Sequence, residues 1–266
     1  MRTVRVRPPA VAGLFYPEDV PQLRTFIEHA VAGAAHPSGT IGVPKAIVAP
    51  HAGYVYSGVV AASAYARVAP ARGRITHVVL LGPAHRTPHA GIAASSADAF
   101  ATPLGQLAVD TEARDALVGA GLVDVRDDAH AKEHSLEVHL PFVQVCLGAV
   151  TVLPLAVGQT SPALVAEVLD RMWGGEETLI VVSTDLSHYH DHATATELDQ
   201  RTAAAIVARR PDWLGRYDAC GVIGVQGLLL AAERHRLDVE LLDLRTSADT
   251  AGSPERVVGY GSFALA

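Results

Sequence analysis

Cysteine is scarce in this chain. Two in 266 residues, Cys146 and Cys220, cannot make a disulfide framework at this length. Aromatic residues make up 5%. No run rich in Lys and Arg occurs, and 21 Lys plus Arg stand against 28 Asp plus Glu, a net charge of −7. A protein that tracks nucleic-acid phosphates is thereby excluded. Long apolar runs are missing too: Val150–Val157 is interrupted by Thr151 and Pro154 and is far too short to span a bilayer, so no membrane role is expected. The basic start MRTVRVRPPA has no apolar stretch before its prolines, so no signal peptide is expected, and the expected compartment is cytoplasmic. There is no 20–50-residue repeat, no P-loop and no G-x-S-x-G elbow. Gly221, Gly224 and Gly227 fall inside an expected helix with no strand directly before it, which suits helix packing better than a dinucleotide.

What is present is apolar bulk. Hydrophobic residues make up 49% and the mean hydropathy is +0.23, enough for a sizeable core. Strands are expected at Ala46–Ala49, His77–Leu81, Val150–Leu155, Thr178–Val182, Val239–Leu244 and Val257–Leu265, with short strands across Gly91–Val109. Helices are expected at Gly58–Val68 capped by Ser57, from Asp110 to about Gly119, from Ser135 to about Leu147, and at Ala163–Met172 behind a Ser161-Pro162 start. Two more are expected at Ala193–Arg209 and Val222–Arg236, and Pro141 should kink the Ser135 helix or end its first turn. The alternation predicts one α/β domain over residues 1–266, with a mixed, largely parallel sheet covered by helices on both faces.

Histidine is the oddity, with 13 residues. Three expected strands run into polar, Gly/Pro-punctuated loops: Pro50-His51-Ala52-Gly53-Tyr54, Gly82-Pro83-Ala84-His85, and Ser183 through His192. Ligands of open α/β sheets bind beyond the carboxyl ends of the strands, so His51, His85, Asp185 and His188 are expected on one rim. Three such loops together favour metal binding or acid/base work over three unrelated surface histidines. Cys220 stands just ahead of a helix, where unsatisfied N–H groups should favour the metal-ligating thiolate; the alternative is a small buried thiol. Cys146 reads as core. In Lys132–Pro141, His134 and His139 are five apart and diverge by roughly 140° on a regular helix, so both cannot bind one metal there. Glu133 and Glu137, four apart, could share a face.

In this order and spacing, Val11–Pro17, Pro50–Gly58, Leu81–His85, Glu133–Pro141, Ser183–His188 and Cys220-Gly221 resemble the Memo family, whose bacterial members are called AmmeMemoRadiSam system protein B. The resemblance runs from Pro8 to Phe263. It implies a fold similar to the class III extradiol dioxygenases, which are non-haem iron enzymes. His51, His85 and Cys220 match the metal-ligand positions, and His188 matches a pocket histidine that serves as acid/base, with Asp185 beside it to fix its tautomer. The resemblance also puts Glu133, His134, Glu137, His139 and Tyr54 along the pocket. Where the dioxygenases use two His and a carboxylate, this chain has Cys220, a softer donor that suits iron, copper or zinc.

The leading expectation is a metal-dependent oxidoreductase acting on a small molecule or peptide. Two alternatives stand beside it. One is a non-catalytic module that binds a peptide, a metabolite or a protein partner such as a radical SAM enzyme. The other is a zinc hydrolase with Glu137 or His188 as base.

Overall fold

The computed structural model describes residues 3–34 and 42–266; Met1 and Arg2, which open the basic N-terminal stretch, lie outside them. Among these residues the strands are β1 (Val6–Arg7), β2 (Ala46–Ala49), β3 (His77–Pro83), β4 (Ile92–Ala94), β5 (Ala99–Thr102), β6 (Gly105–Val109), β7 (Asp124–Val125), β8 (Thr151–Val157), β9 (Thr178–Ser183), β10 (His188–His190), β11 (Val239–Thr246) and β12 (Val257–Leu265). The α-helices are α1 (Val20–Gly33), α2 (Tyr54–Val68), α3 (Thr111–Gly119), α4 (Asp127–Ala131), α5 (Leu140–Leu147), α6 (Pro162–Arg171), α7 (His192–Val207) and α8 (Val222–His235).

The strands form one mixed sheet in the order β1-β5-β6-β8-β3-β9-β2-β12-β10, with β11 on β12 and with β4 between β7 and β8. Its centre, β8-β3-β9-β2, is parallel. These strands read as unbroken apolar runs because both faces are buried. Alternation along each strand divides the core. Ile47, Val78, Leu80, Leu179 and Val181 pack on one face with α1, α2 and α5. Val48, Val79, Leu81, Ile180 and Val182 pack on the other with α6 and α8.

Local chemistry sets the helix starts. Asp110 and Ser161 cap α3 and α6 through backbone N–H groups three residues on, as their side chains led one to expect. At α2 the start differs. Tyr56 and Ser57 already donate to the Gly53 carbonyl, so the helix begins at Tyr54, and the Ser57 hydroxyl donates to the Ala52 carbonyl instead of capping. The Ser135 helix is also divided: a 3-10 turn over Glu137–His139 precedes α5, with Pro141 in the first turn of α5. The helix α1 was not anticipated, although Asp19 caps it ahead of Pro21 and Leu23 and Ile27 form its buried stripe. No helix among the described residues is long and apolar enough to cross a membrane.

Candidate metal centre

Because β2, β3 and β9 are parallel neighbours, their carboxyl ends deliver His51, His85 and Ser183–Asp185 to one edge. The segment before α5 arrives at the same place. The Ser135 hydroxyl donates to the Pro83 carbonyl at 2.8 Å. This approach requires Gly82, where a Cβ would stand 2.7 Å from that hydroxyl oxygen. Three imidazoles, those of His51, His85 and His134, therefore meet. Each offers a ring nitrogen, and the three nitrogens lie within 4.8 Å of one another. The ring centroids are 4.8 to 5.5 Å apart. The third ring of this set is His134, where the sequence pointed to Cys220. The Cys220 sulfur sits beside the set, 3.4 Å from His51 Nε2.

The hydrogen bonds fix which nitrogen faces the centre. Ser183 Oγ has one proton and gives it to the Ser135 carbonyl at 2.7 Å. It must therefore accept from His51 Nδ1 at 2.6 Å and from His139 Nε2 at 2.9 Å. His51 accordingly carries its proton on Nδ1 and turns the Nε2 lone pair toward Cys220. His139 takes its own proton bond from the Tyr65 hydroxyl, at 3.1 Å on Nδ1. It is fully buried behind Ser183, a support for His51 rather than part of the pocket wall.

Glu133 performs the same service for His85. Its Oε1 accepts from His85 Nδ1 at 3.1 Å and from the backbone N–H groups of His134 and Ser135 at 2.9 and 3.0 Å. Its Oε2 accepts from the His85 and Arg86 N–H groups at 2.6 and 3.2 Å. Burial opposes the charge, yet the His134 and His85 rings and these donors hold the carboxyl far below the ordinary carboxylate range. His85 Nε2 is left for the centre. His134 Nδ1 lies 3.2 Å from Glu133 Oε1 but outside hydrogen-bond geometry, and it is buried without a partner among the described residues.

Electrostatics favour the neutral His51 ring. Burial, then the like charges that His85, His134 and His139 would carry, pushes His51 well below its ordinary value. Neutral imidazole is the ligating form. Cys220 behaves contrary to the expectation from its place ahead of α8. Burial, and next the Asp185 carboxylate, pushes the thiol up to about 12, outweighing the N–H of Asp185 that donates to sulfur at 3.2 Å. Metal binding at this sulfur would have to displace a proton.

Asp185 does not hold His188. Its Oδ1 accepts the His51 backbone N–H at 2.8 Å, and Oδ2 lies 4.0 Å from His51 Nε2. Burial raises its pKa. The half-buried His188 places Nδ1 2.8 Å from the Leu186 carbonyl, which fixes its tautomer with Nε2 free to accept. Glu137 and Tyr54 also differ from the expected pocket positions. Both Glu137 oxygens are taken up by the N-terminal segment, through an ion pair with Arg7 and bonds from Ala10 N, Val11 N and the Tyr16 hydroxyl. The Tyr54 hydroxyl donates to the Val138 carbonyl, and its ring packs on Tyr16, Phe26 and Phe142.

The residues fit a metal ion. Tetrahedral bonds of about 2.05 Å to nitrogen and 2.3 Å to sulfur set the two donors about 3.5 Å apart. The His51–Cys220 separation of 3.4 Å matches that spacing. Two of the imidazoles, moreover, are already oriented from behind. A cavity of about 240 Å³ opens against Cys220, walled by Pro83, His89, Val157, Val182 and Ile223.

Comparison with known proteins gives a family over nearly the whole chain. The profile of the Memo family, described as "Memo-like protein", matches residues 7–264. A MEMO1 family protein of Methanopyrus kandleri is 36% identical, covering 97% of this chain and 98% of its own length. One of Pyrobaculum aerophilum is 35% identical, over 98% and 99%, and one of Metallosphaera sedula 32%, over 96% and 97%. Among solved structures, an uncharacterised protein of Escherichia coli K12 superposes with a TM-score of 0.51 at 13% identity, covering 81% of this chain and 98% of its own. That likeness is one of fold.

Proposed function

The chain belongs to the Memo-like protein family, and from that premise we propose that it is a metal-dependent oxidoreductase of the non-haem iron type. His51 and His85 would bind the ion through Nε2, with Cys220 as thiolate and His134 alongside. Iron is the metal we favour; copper or zinc would accept the same donors. When bound, the ion supplies Lewis-acid and redox chemistry toward dioxygen or substrate. Ser183 and Glu133 orient the His51 and His85 rings, as outer partners of metal-bound histidines commonly do. Asp185 Oδ1 holds the His51 backbone N–H, and its Oδ2 stands 4.0 Å from His51 Nε2. His188 Nε2 moves a proton at the half-exposed edge. The cavity beside Cys220 would take the apolar part of a small substrate out of water.

The observation that carries this reading is the meeting of His51, His85 and His134, with the Cys220 sulfur in coordinating reach of His51. Protein purified without oxygen is expected to hold about one metal per chain, depleted in His85→Ala and Cys220→Ala, and to consume oxygen only when loaded. Metal-free protein under those conditions would defeat the proposal. So would a melting temperature raised by a peptide and by no divalent metal, which would favour a binding module.

The presence of His134 favours a second reading, because three histidines and an open position suffice for a catalytic zinc. Its mark would be hydrolytic turnover indifferent to oxygen. His188 is then the available base, since Glu137 is committed to the N-terminal segment.

A further inference from the structure

The N-terminal segment supplies no ligand to the metal centre, yet it ends on the turn that delivers Glu133 and His134. Arg7, on β1, is buried to 7% exposure. Its guanidinium fork is spent on residues 130–137. Nε and Nη2 donate to the His130 carbonyl at 3.1 and 2.9 Å. Nη2 also donates to the Glu133 carbonyl at 2.8 Å, and Nη1 pairs with the Glu137 carboxylate. The Phe100 ring, centred 5.4 Å from the guanidinium carbon, covers one face of the fork.

The segment then follows the same turn. Ala10 N, Val11 N and the Tyr16 hydroxyl donate to Glu137 at 2.8, 3.0 and 2.6 Å. The Phe15 carbonyl accepts the Tyr54 N–H at 2.7 Å, and the Phe15 ring lies 4.6 Å from that of His134. The turn has little to hold it from within. The helix α4 ends at Ala131, and the chain leaves it at Lys132 with φ −122° and ψ 8°. The Glu133 N–H reaches the His130 carbonyl only at 3.3 Å. Arg7 thus grips the Glu133 peptide by its carbonyl. On the other side, the Glu133 carboxylate holds His85 Nδ1 and the N–H groups of His85 and His134.

We propose that Arg7 is a positioning residue for the metal centre: by fixing the Glu133 peptide and the Glu137 carboxylate, it sets where the His85 and His134 rings stand. The consequence for affinity rests on the metal-centre reading, since a bound ion would register a displaced ring as weaker binding. Lysine keeps the charge but puts a flexible point donor in place of the planar fork, so it cannot reproduce this set of bonds.

Two measurements on the full chain test the proposal: long-range 1H–15N spectra of the histidine rings without metal, and titration with Co(II). In wild type, His85 should show one tautomer with its proton on Nδ1. Arg7→Lys should shift or broaden the His85 and His134 ring signals and leave that of His77, at the far end of β3, unchanged. It should also weaken Co(II) binding by about tenfold or more. Leu23→Ala, in the buried stripe of α1, lowers the melting temperature without touching this turn and should keep wild-type Co(II) affinity. Ring signals unchanged in Arg7→Lys, or an equal Co(II) loss in Leu23→Ala, would overturn the assignment. Wild type that takes up no Co(II) would count against the metal reading instead, and the ring signals of the metal-free protein would still decide the role of Arg7. If Arg7→Lys does not fold, Arg7→Ala folded in millimolar ethylguanidinium should show the wild-type ring signals and lose them when the cation is dialysed away. Signals that survive its removal would refute the role of Arg7.

Discussion

Replacing Glu133 by glutamine changes one oxygen to an amide nitrogen and leaves size and shape nearly unaltered. The nitrogen cannot accept, so the donors on one side of the residue lose their partner. On the Oε2 side these are the N–H groups of His85 and Arg86; on the Oε1 side they are those of His134 and Ser135 and the His85 ring. Each part-buried donor left unpaired costs roughly 1–3 kcal/mol, so two together predict a loss of about 2–6 kcal/mol at pH 7. Urea unfolding monitored by circular dichroism measures this. The pH dependence has a definite sign. The folded pKa of Glu133 is depressed, so its contribution is complete above the unfolded value near 4.5 and is lost as pH falls below it. Between pH 6 and pH 3 wild type should lose more stability than Glu133→Gln. The freed His85 ring should also lower metal affinity by about 10–100-fold. Wild-type stability in Glu133→Gln at pH 7, together with an unchanged slope below pH 5, would refute the role assigned to this carboxylate.

Other perturbations follow from the same contacts. Ser183→Ala removes the acceptor of two imidazole N–H groups and the donor to the Ser135 carbonyl, and should cost roughly 3 kcal/mol or more in chemical denaturation. Burial lowers His130 to about 4 and His139 to about 3. Each therefore stabilises the fold above the unfolded value near 6.5 and loses that contribution as pH falls. From pH 8 to pH 5 the loss is about 2 kcal/mol per histidine, and His139→Gln should flatten the thermal-melt profile over that range. At Gly221 a Cβ would stand 2.5 Å from the Ser183 carbonyl oxygen, so Gly221→Ala should cost about 1–3 kcal/mol and shift the start of α8 with Cys220. A lower melting temperature with reduced metal content is the expected pair of readings.

Much of the parallel centre was legible in the sequence. Ala46–Ala49 and the starts at Asp110 and Ser161-Pro162 are local signals, an apolar run and caps with their own chemistry. The rim loops carrying His51, His85 and Asp185 were legible for the same reason, since Gly and Pro mark where a strand stops. The place of His134 was not. It depends on a 3-10 turn and on Ser135 reaching Pro83 across 52 residues. Ser183 gave no sign either, for its meaning lies in accepting hydrogen bonds from two histidines 132 and 44 residues away. The sequence left the Cys220 thiol open between a thiolate and a buried thiol, because a helix terminus is visible in sequence whereas burial beside Asp185 is not. The pattern of charge around Glu137 likewise concealed its partner Arg7, 130 residues distant.

Anomalous diffraction at the iron, copper and zinc edges, from crystals grown without oxygen, tests the metal centre most directly. The expected result is one peak at about 2.0–2.3 Å from His51 Nε2, His85 Nε2 and the Cys220 sulfur, absent in crystals of Cys220→Ala. A peak elsewhere on the molecule, or none at any edge in fully metal-supplemented protein, would contradict it.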